Sequence, residues 1–159
     1  MELLVIKLIK NKVFWSLAVL TSFIILGFIL RWEALEIVRI NFWLTRDFDR
    51  SFNLFDGNYI PLAGPETTNG LRLPGPALYF FTIIPLWFKY SYESIFTFYF
   101  LLNFSSIILT FWIVKKYIDF YTAILTTILQ LIYPLSIEAI TFPINPTFLL
   151  PIIPFLFWS

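Results

Sequence analysis

The sequence predicts an all-α integral membrane protein, and its composition and the spacing of its apolar residues lead to this fold class. Of the 159 residues, 59% are hydrophobic and 13% are charged, and the mean hydropathy is +0.82. A chain of this length cannot enclose so many apolar side chains in a soluble core. The apolar residues also form uncharged runs near the roughly 20 residues that cross a bilayer core. We therefore predict spans at 13–31, 94–114, 119–137 and 147–159.

The first predicted span is expected to leave the N-terminus in the cytoplasm. Lys7, Lys10 and Lys12 precede the span, and basic residues accumulate on the cytoplasmic side of a membrane. A basic start before an apolar run is also typical of a secretory signal peptide. This run is too long for a signal peptide, and residues 27–31 contain no small-x-small cleavage site. We interpret it as an uncleaved helix of a multi-pass protein in the cell (inner or plasma) membrane.

Segment 73–88 is apolar, short and rich in proline, and it leaves two topologies open. If the segment spans the membrane, the pair Lys115-Lys116 falls outside the cell. If the segment lies in the membrane interface, the next span runs inward and the lysine pair is cytoplasmic. The positive-inside rule favours the second topology. Residues 32–93 then form one long external loop.

Two amphipathic surface helices are predicted in this external loop, at 32–44 and 76–90. In the first segment, Leu35, Val38 and Phe42 share one face at helical spacing, while charged residues lie on another face. The second segment begins where a glycine- and proline-rich stretch ends, and such stretches are typical of turns and loops. Both segments are expected to lie at the level of the lipid headgroups.

The last predicted span, 147–159, is expected to be incomplete. Proline residues interrupt the apolar stretch before and inside it, and proline removes a backbone donor and kinks helices. A helix that stops in hydrocarbon leaves carbonyl groups without hydrogen-bond partners, which is costly. We expect the chain to be the N-terminal part of a longer protein and to be inactive alone.

Composition also limits the chemistry that this chain can perform. The sequence has no cysteine and no histidine, so thiolate metal sites and the usual neutral-pH base are excluded. The net charge is +1 without a basic stripe, so nucleic acid is not expected as a partner. Catalysis would have to come from carboxylates, arginine, lysine, tyrosine and amide groups.

A group of charged residues follows the first predicted surface helix: Arg46, Asp47, Asp49 and Arg50. Charged groups beside hydrocarbon are costly, so their presence there indicates a functional site. The alternative is a solvated helix face on which Asp–Arg pairs add a few tenths of a kcal/mol each.

Five parts of the sequence occur in an order that matches a known family. The Asp-bearing helix precedes 54–65 (Leu-Phe-Asp-Gly-Asn-Tyr-Ile-Pro-Leu-Ala-Gly-Pro) and 74–81 (Pro-Gly-Pro-Ala-Leu-Tyr-Phe-Phe). A span ending in Lys115-Lys116 and the segment 145–151 (Asn-Pro-Thr-Phe-Leu-Leu-Pro) follow. Together they resemble the N-terminal third of bacterial membrane glycosyltransferases related to protein O-mannosyltransferases and the lipid A aminoarabinose transferase.

The resemblance implies the C-type glycosyltransferase (GT-C) fold and a polyprenyl-phosphate sugar donor. The acceptor on the external face would be a lipid, a glycan or a protein. The family's catalytic Asp acts as base or orients the acceptor, sometimes with a divalent metal. Asp47 is the best match and Asp49 the second. Many members carry another acidic residue where this chain has Trp43, and some carry an Asp where it has Asn145, so a metal is not assigned.

Binding groups for these substrates are suggested by residue type. Sugar transfer from a phosphate donor requires a carboxylate for the acceptor proton and cations for the departing phosphate. Arginine binds phosphate through a bidentate fork, so Arg46, Arg50 and Arg72 are candidates. Glu66 is a candidate contact for the acceptor. The alternative for Glu66 and Arg72 is a solvated loop position.

Two other classes of function stay open from the sequence. One is a small non-catalytic membrane protein, such as a subunit or scaffold of an envelope complex. The other is a transporter fragment, because broken, proline-rich helices also build transporter sites. The charged residues lie in the predicted external loop rather than at mid-membrane, which is an argument against the transporter.

Overall fold

The computed structural model describes residues 2–37, 42–65, 76–141 and 152–158. Within these ranges the chain is helical and contains no β-strand, which confirms the predicted all-α class. The helices, in chain order, are α1 (Glu2–Glu36), α2 (Phe42–Phe55), α3 (Ala77–Thr82), a 3-10 helix (Ile84–Trp87), α4 (Tyr92–Tyr117), α5 (Phe120–Ile132), α6 (Pro134–Thr141) and α7 (Ile153–Trp158).

Two of the described helices are long and apolar enough to cross a membrane. They are the Asn11–Glu36 part of α1 and α4, in which an apolar window of 18 residues has a mean hydropathy of 2.4 and 1.8, respectively. Each has 26 residues, or about 39 Å of helix at 1.5 Å per residue, against a hydrocarbon core of about 30 Å. The pair α5 and α6 passes the same test only if its two parts count as one bent span.

A tight connection joins α4 to α5 and is explained by charge and capping. Lys115 and Lys116 lie in the last turn of α4, where cations interact favourably with the helix dipole. Asp119 then caps α5, because its Oδ1 accepts the backbone N–H groups of Tyr121 and Thr122 at 2.8 and 2.9 Å. Hydrogen bonds from Thr122 and the helix backbone lower the pKa of Asp119 below its ordinary value.

The third predicted span, 119–137, is not one straight helix. α5 ends at Ile132, Tyr133 has extended backbone angles, and Pro134 begins α6 at an angle of 51°. The residue before a proline disfavours the helical conformation, and the proline nitrogen has no hydrogen to donate. The break therefore follows directly from Pro134.

The loop helices differ in their bounds from the prediction. Residues 32–36 continue α1 instead of beginning a surface helix at 32, and residues 38–41 of the predicted helix lie outside the described residues. No proline or glycine separates 31 from 36, so nothing in the sequence ends α1 earlier. The second segment, 76–90, contains α3 and the 3-10 helix, which together are short for a membrane span. Their position in the membrane interface stays a prediction.

A hydrophobic cluster joins α2 to α3, the 3-10 helix and the start of α4. Its buried members are Leu44, Phe48, Leu78, Leu86, Ile95, Phe96 and Tyr99. Leu44 and Phe48 are one turn apart on α2 and lie on its buried face. Removing such a side chain from water contributes about 1.5–3 kcal/mol. This cluster fixes the rotation of α2 and so decides which of its charged residues are buried.

Candidate functional site

α2 carries the two candidate catalytic carboxylates on opposite faces. Asp47 is only 5% exposed, beside the buried Phe48, whereas Asp49 is exposed. Residues two positions apart on an α-helix are separated by about 200° around its axis. The structure therefore does not bring the first and second choices for the catalytic residue together.

Asp47 is paired with its neighbour Arg46. The Nε and Nη2 atoms of Arg46 both lie 2.8 Å from Oδ1 of Asp47. Exposure is low on both sides of the pair, at 15% for the Arg46 side chain and 6% for Asp47. A charge-assisted pair that is shielded from water holds its carboxylate in a defined position.

Arg50, one turn further along α2, extends the group to α3. Its Nη1 atom donates a hydrogen bond to the Tyr79 hydroxyl at 3.1 Å, and Tyr79 is fully buried. This bond raises the pKa of Arg50 despite partial burial, and the charge of Asp47 raises it further. Burial raises the pKa of the Tyr79 phenol. At neutral pH Arg50 is therefore a cation and Tyr79 a neutral phenol.

Two buried hydroxyl groups hold α3 against α2 beside these side chains. Ser51 donates to the backbone carbonyl of Asp47 at 3.1 Å and shares a short hydrogen bond with Thr82. Thr82 in turn lies within hydrogen-bond distance of the Leu78 and Tyr79 carbonyl oxygens, at 3.0 Å each. We call Arg46, Asp47, Arg50 and Tyr79 the Asp47 cluster. Sequence analysis missed Tyr79, Ser51 and Thr82, although Ser51 lies one turn from Asp47.

The outer face of α2 makes a different set of contacts. The hydroxyl of Tyr92 donates to Asp49, and the hydroxyl of Tyr90 donates to Asp56 at 2.7 Å. These residues line an open cavity of about 460 Å³. Its carboxylates are already hydrogen-bonded to phenols and face solvent. Asp49 therefore has the surroundings of a solvated side chain rather than those of a buried base.

A second buried charge, which sequence analysis missed, lies near the C-terminal end of α1. Arg31 has no exposed surface, and its guanidinium group touches three other helices. Nε donates to Asn103 on α4 at 3.0 Å, and Nη2 donates to Ser136 on α6 at 2.9 Å. The backbone carbonyls of Gln130 and Leu131 on α5 accept at 3.0 and 2.7 Å.

The remaining Nη1 contact of Arg31 is to the carbonyl of Gly27, at 3.1 Å. A guanidinium group has five N–H donors, so these contacts use all of them. The contacts to α5 replace bonds lost at the helix break, because Pro134 has no N–H for the carbonyl of Gln130. We call Arg31 with Asn103, Gln130 and Ser136 the Arg31 centre. In the sequence, this centre is indicated only by Arg31 at the end of the first apolar run and by Pro134 within the third.

Glu66 and Arg72, also predicted as binding residues, lie outside the described residues. Among the residues that the structure describes, no group of three or more His, Cys, Asp or Glu side chains could hold a metal ion. At Asp47 the Oδ1 atom already takes two contacts from Arg46.

No protein-family model matches the chain, and neither a curated protein nor a solved structure matches it.

Proposed function

We propose that this chain is the N-terminal part of a membrane glycosyltransferase. The enzyme would transfer a sugar from a polyprenyl-phosphate donor to an acceptor on the external face. The observation that carries the proposal is the burial of Asp47 beside Arg46 on α2, with Arg50 one turn away. A carboxylate and two guanidinium groups at one place supply the two kinds of group that this reaction needs.

In the proposed reaction the acceptor hydroxyl attacks the anomeric carbon of the donor sugar. The bond between that carbon and the phosphate oxygen breaks, and its electron pair leaves with the polyprenyl phosphate. Asp47 takes the acceptor proton as general base or orients the hydroxyl. Arg50 stabilises the charge that develops on the phosphate, held by Tyr79 at 3.1 Å. Arg46 holds the Asp47 carboxylate in place, and no step is assigned to a metal ion.

The order of the helices supports an external position for the Asp47 cluster. α2 and α3 connect the end of α1 to the start of α4. If α1 and α4 both cross one membrane, this connection lies on the side opposite Lys12 and the pair Lys115-Lys116. Basic residues favour the cytoplasmic side, so the connection faces outward. The apolar surfaces of α1 and α4 would then lie against membrane lipids, where a polyprenyl chain also resides.

The test is sugar transfer by the full-length protein in membranes, with Asp47→Asn compared with Asp49→Asn. Loss of a general base lowers turnover by about 10²- to 10⁴-fold. We expect that loss for Asp47→Asn, with unchanged membrane insertion. Asp49→Asn is the matched control, because the same side-chain change is made on the solvated face of the same helix. Near-normal turnover of Asp47→Asn would exclude the proposed role of Asp47.

A transporter is the second candidate, and one observation favours it. The Arg31 centre places a buried charge beside the broken pair α5 and α6, which is the type of site found in many transporters. Sugar transfer by the full-length protein separates the two functions. Solute uptake into vesicles in the absence of sugar transfer would favour the transporter.

A further inference from the structure

The Arg31 centre satisfies hydrogen-bond donors without neutralising charge. Every acceptor around the guanidinium group is a carbonyl, an amide oxygen or a hydroxyl, and none is a carboxylate. Among the described residues, the acidic side chains nearest along the chain, Glu33 on α1 and Glu138 on α6, are exposed. A buried cation without an anion is costly, because hydrogen bonds do not cancel the charge itself. The site therefore carries a net positive charge inside the helix bundle.

This charge lies at the level of the middle of α4. Asn103, which accepts from Arg31, is about 17 Å from the first residue of α4 and about 21 Å from the last, at 1.5 Å per residue. The break between α5 and α6 lies at the same level, because Arg31 contacts residues on both sides of it. If α4 crosses a membrane, the charge lies far from water on either side.

A cavity of about 300 Å³ adjoins the Arg31 centre. Its polar lining comes from Asn103, Ser106, Gln130, Tyr133 and Ser136, and the rest of its lining is apolar, from Ile107, Leu135, Ala139 and Pro154. Arg31 donates hydrogen bonds to the side chains of Asn103 and Ser136, so the cavity and the Arg31 centre share these two residues.

The polar part of this lining carries hydrogen-bond donors. Ser136 accepts from Arg31 through Oγ, so its own hydroxyl hydrogen is left to donate. The buried Oε1 atom of Gln130 has no hydrogen-bond partner among the described residues. The NH₂ group of the same amide is a donor of two hydrogens. The amide of Asn103 adds a further NH₂ group, whose contact to the Ser136 carbonyl is long at 3.4 Å.

We propose that this cavity binds a phosphate-type oxyanion, either free phosphate or the phosphate of a lipid headgroup. The oxyanion supplies the negative charge that the buried Arg31 lacks, and its oxygens accept from the amide and hydroxyl donors of the lining. The volume accommodates a phosphate with part of its substituent. The inference does not depend on sugar transfer at Asp47, since it concerns other residues and other helices.

The probes are inorganic phosphate and phosphatidic acid, added separately to the purified full-length protein in a phosphate-free detergent. The midpoint of thermal unfolding is followed through tryptophan fluorescence, with sodium chloride at equal ionic strength as the control. Anything that binds the folded state raises this midpoint in a saturable way. Saturation by inorganic phosphate identifies a free oxyanion. A response to phosphatidic acid alone identifies a lipid headgroup.

Variants at Gln130 test the charge argument. Gln130→Glu places a carboxylate at the cavity, so it should remove oxyanion binding. Gln130→Leu removes one donor and should weaken binding about tenfold. Ser105→Ala is the control, because Ser105 is exposed on α4 directly beside the lining residue Ser106. This variant should bind the oxyanion as the unchanged protein does. If the Gln130 variants do not fold, Tyr133→Phe removes a partly exposed donor instead.

Two results would overturn the proposal. One is the absence of a saturable shift with either probe in the unchanged protein. The other is an equal shift in the unchanged protein and in folded Gln130→Glu, since this would place the bound anion away from the cavity.

Discussion

The Arg31 centre and the Asp47 cluster, the two buried charged centres among the described residues, differ in the kind of partner that holds the charge. Arg31 is held by neutral acceptors from three other helices, and two of them are backbone carbonyls at a helix break. Asp47 is held by an arginine from its own helix, with a second arginine one turn away. A cation that replaces missing backbone donors is expected to stabilise the fold. A carboxylate among cations is expected to do chemistry, because its partners can also bind an anionic substrate.

The largest effect on stability is expected at Arg31. Arg31→Met removes the donors to Asn103, Ser136 and two carbonyls, and each buried acceptor left unsatisfied costs about 1–3 kcal/mol. We expect a loss of about 3 kcal/mol or more in the free energy of unfolding, measured in detergent with a denaturant series. Arg31→Lys keeps the charge but loses the planar fork of the guanidinium group. Its free energy of unfolding should therefore lie between those of Arg31→Met and the unchanged protein. Lys116→Met is the control, since Lys116 is exposed.

If Arg31→Met unfolds at the same denaturant concentration as the control, the contacts at the helix break do not hold the three helices together. The distinction between the two centres would then be lost.

A second effect is expected at Gly27, where α1 packs closely against Leu131 of α5. A Cβ atom at this position would lie 2.6 Å from the Cδ2 of Leu131 and 3.0 Å from its Cβ. Leu131 is buried, so the side chain has little room to move, and Gly27→Ala should cost about 1–3 kcal/mol. Sugar transfer per folded molecule should not change. Equal stability of Gly27→Ala and the unchanged protein would mean that α1 and α5 pack less closely than described.

Tyr79→Phe separates function from stability at the Asp47 cluster. The change removes the hydrogen bond that orients Arg50, with an expected cost of about 0.5–1.5 kcal/mol. Sugar transfer should fall because Arg50 is no longer held, while the unfolding midpoint moves only slightly. Leu78→Ala changes the buried neighbour of Tyr79 in α3. It should lower the unfolding midpoint and leave sugar transfer by the folded protein unchanged. Loss of stability without loss of transfer in Tyr79→Phe would leave Arg50 without a role in the reaction.

The smallest effect is a pH dependence at the start of α5. The pKa of Asp119 is lowered by its hydrogen bonds to Thr122 and the helix backbone. Because the pKa of Asp119 is lower in the folded state than in the unfolded state, its charge stabilises the fold at a pH above the ordinary pKa of an Asp. This stability is lost as the pH falls through the pKa of the folded state. Asp119→Ala should therefore unfold at a lower temperature than the unchanged protein at pH 7. The two should converge below about pH 4, the ordinary range of an Asp. A constant difference across this range would mean that the cap acts without its charge.

Much of the fold could be predicted because hydropathy and helix length suffice for it. The apolar runs at 13–31 and 94–114 correspond to the apolar parts of α1 and α4, and the run at 119–137 to α5 with α6. Sequence reasoning ended the first helix at Arg31, because a charge after an apolar run is typical of a membrane boundary. The folded chain shows that acceptors from three other helices surround this charge. It also shows that α1 continues past Arg31 to Glu36.

The candidate site could be predicted only where it depends on one helix. The helical repeat already separates Asp47 from Asp49, and Arg46 and Arg50 are neighbours of Asp47 in sequence. Tyr79 and Thr82 come from another helix, about 30 positions further along the chain, and no local pattern connects them to α2. The choice of Asp47 as the catalytic residue rests on the resemblance and stays a prediction.

The most direct test of the distinction is one experiment on two variants, Asp47→Asn and Arg31→Lys. Sugar transfer and the midpoint of thermal unfolding are measured on the same preparations of the full-length protein. We expect Asp47→Asn to lose transfer by at least about 10²-fold while its midpoint stays close to that of the unchanged protein. Arg31→Lys should unfold at a clearly lower temperature and retain transfer while it is folded. The account is contradicted if Asp47→Asn transfers sugar normally, or if it loses as much stability as Arg31→Lys.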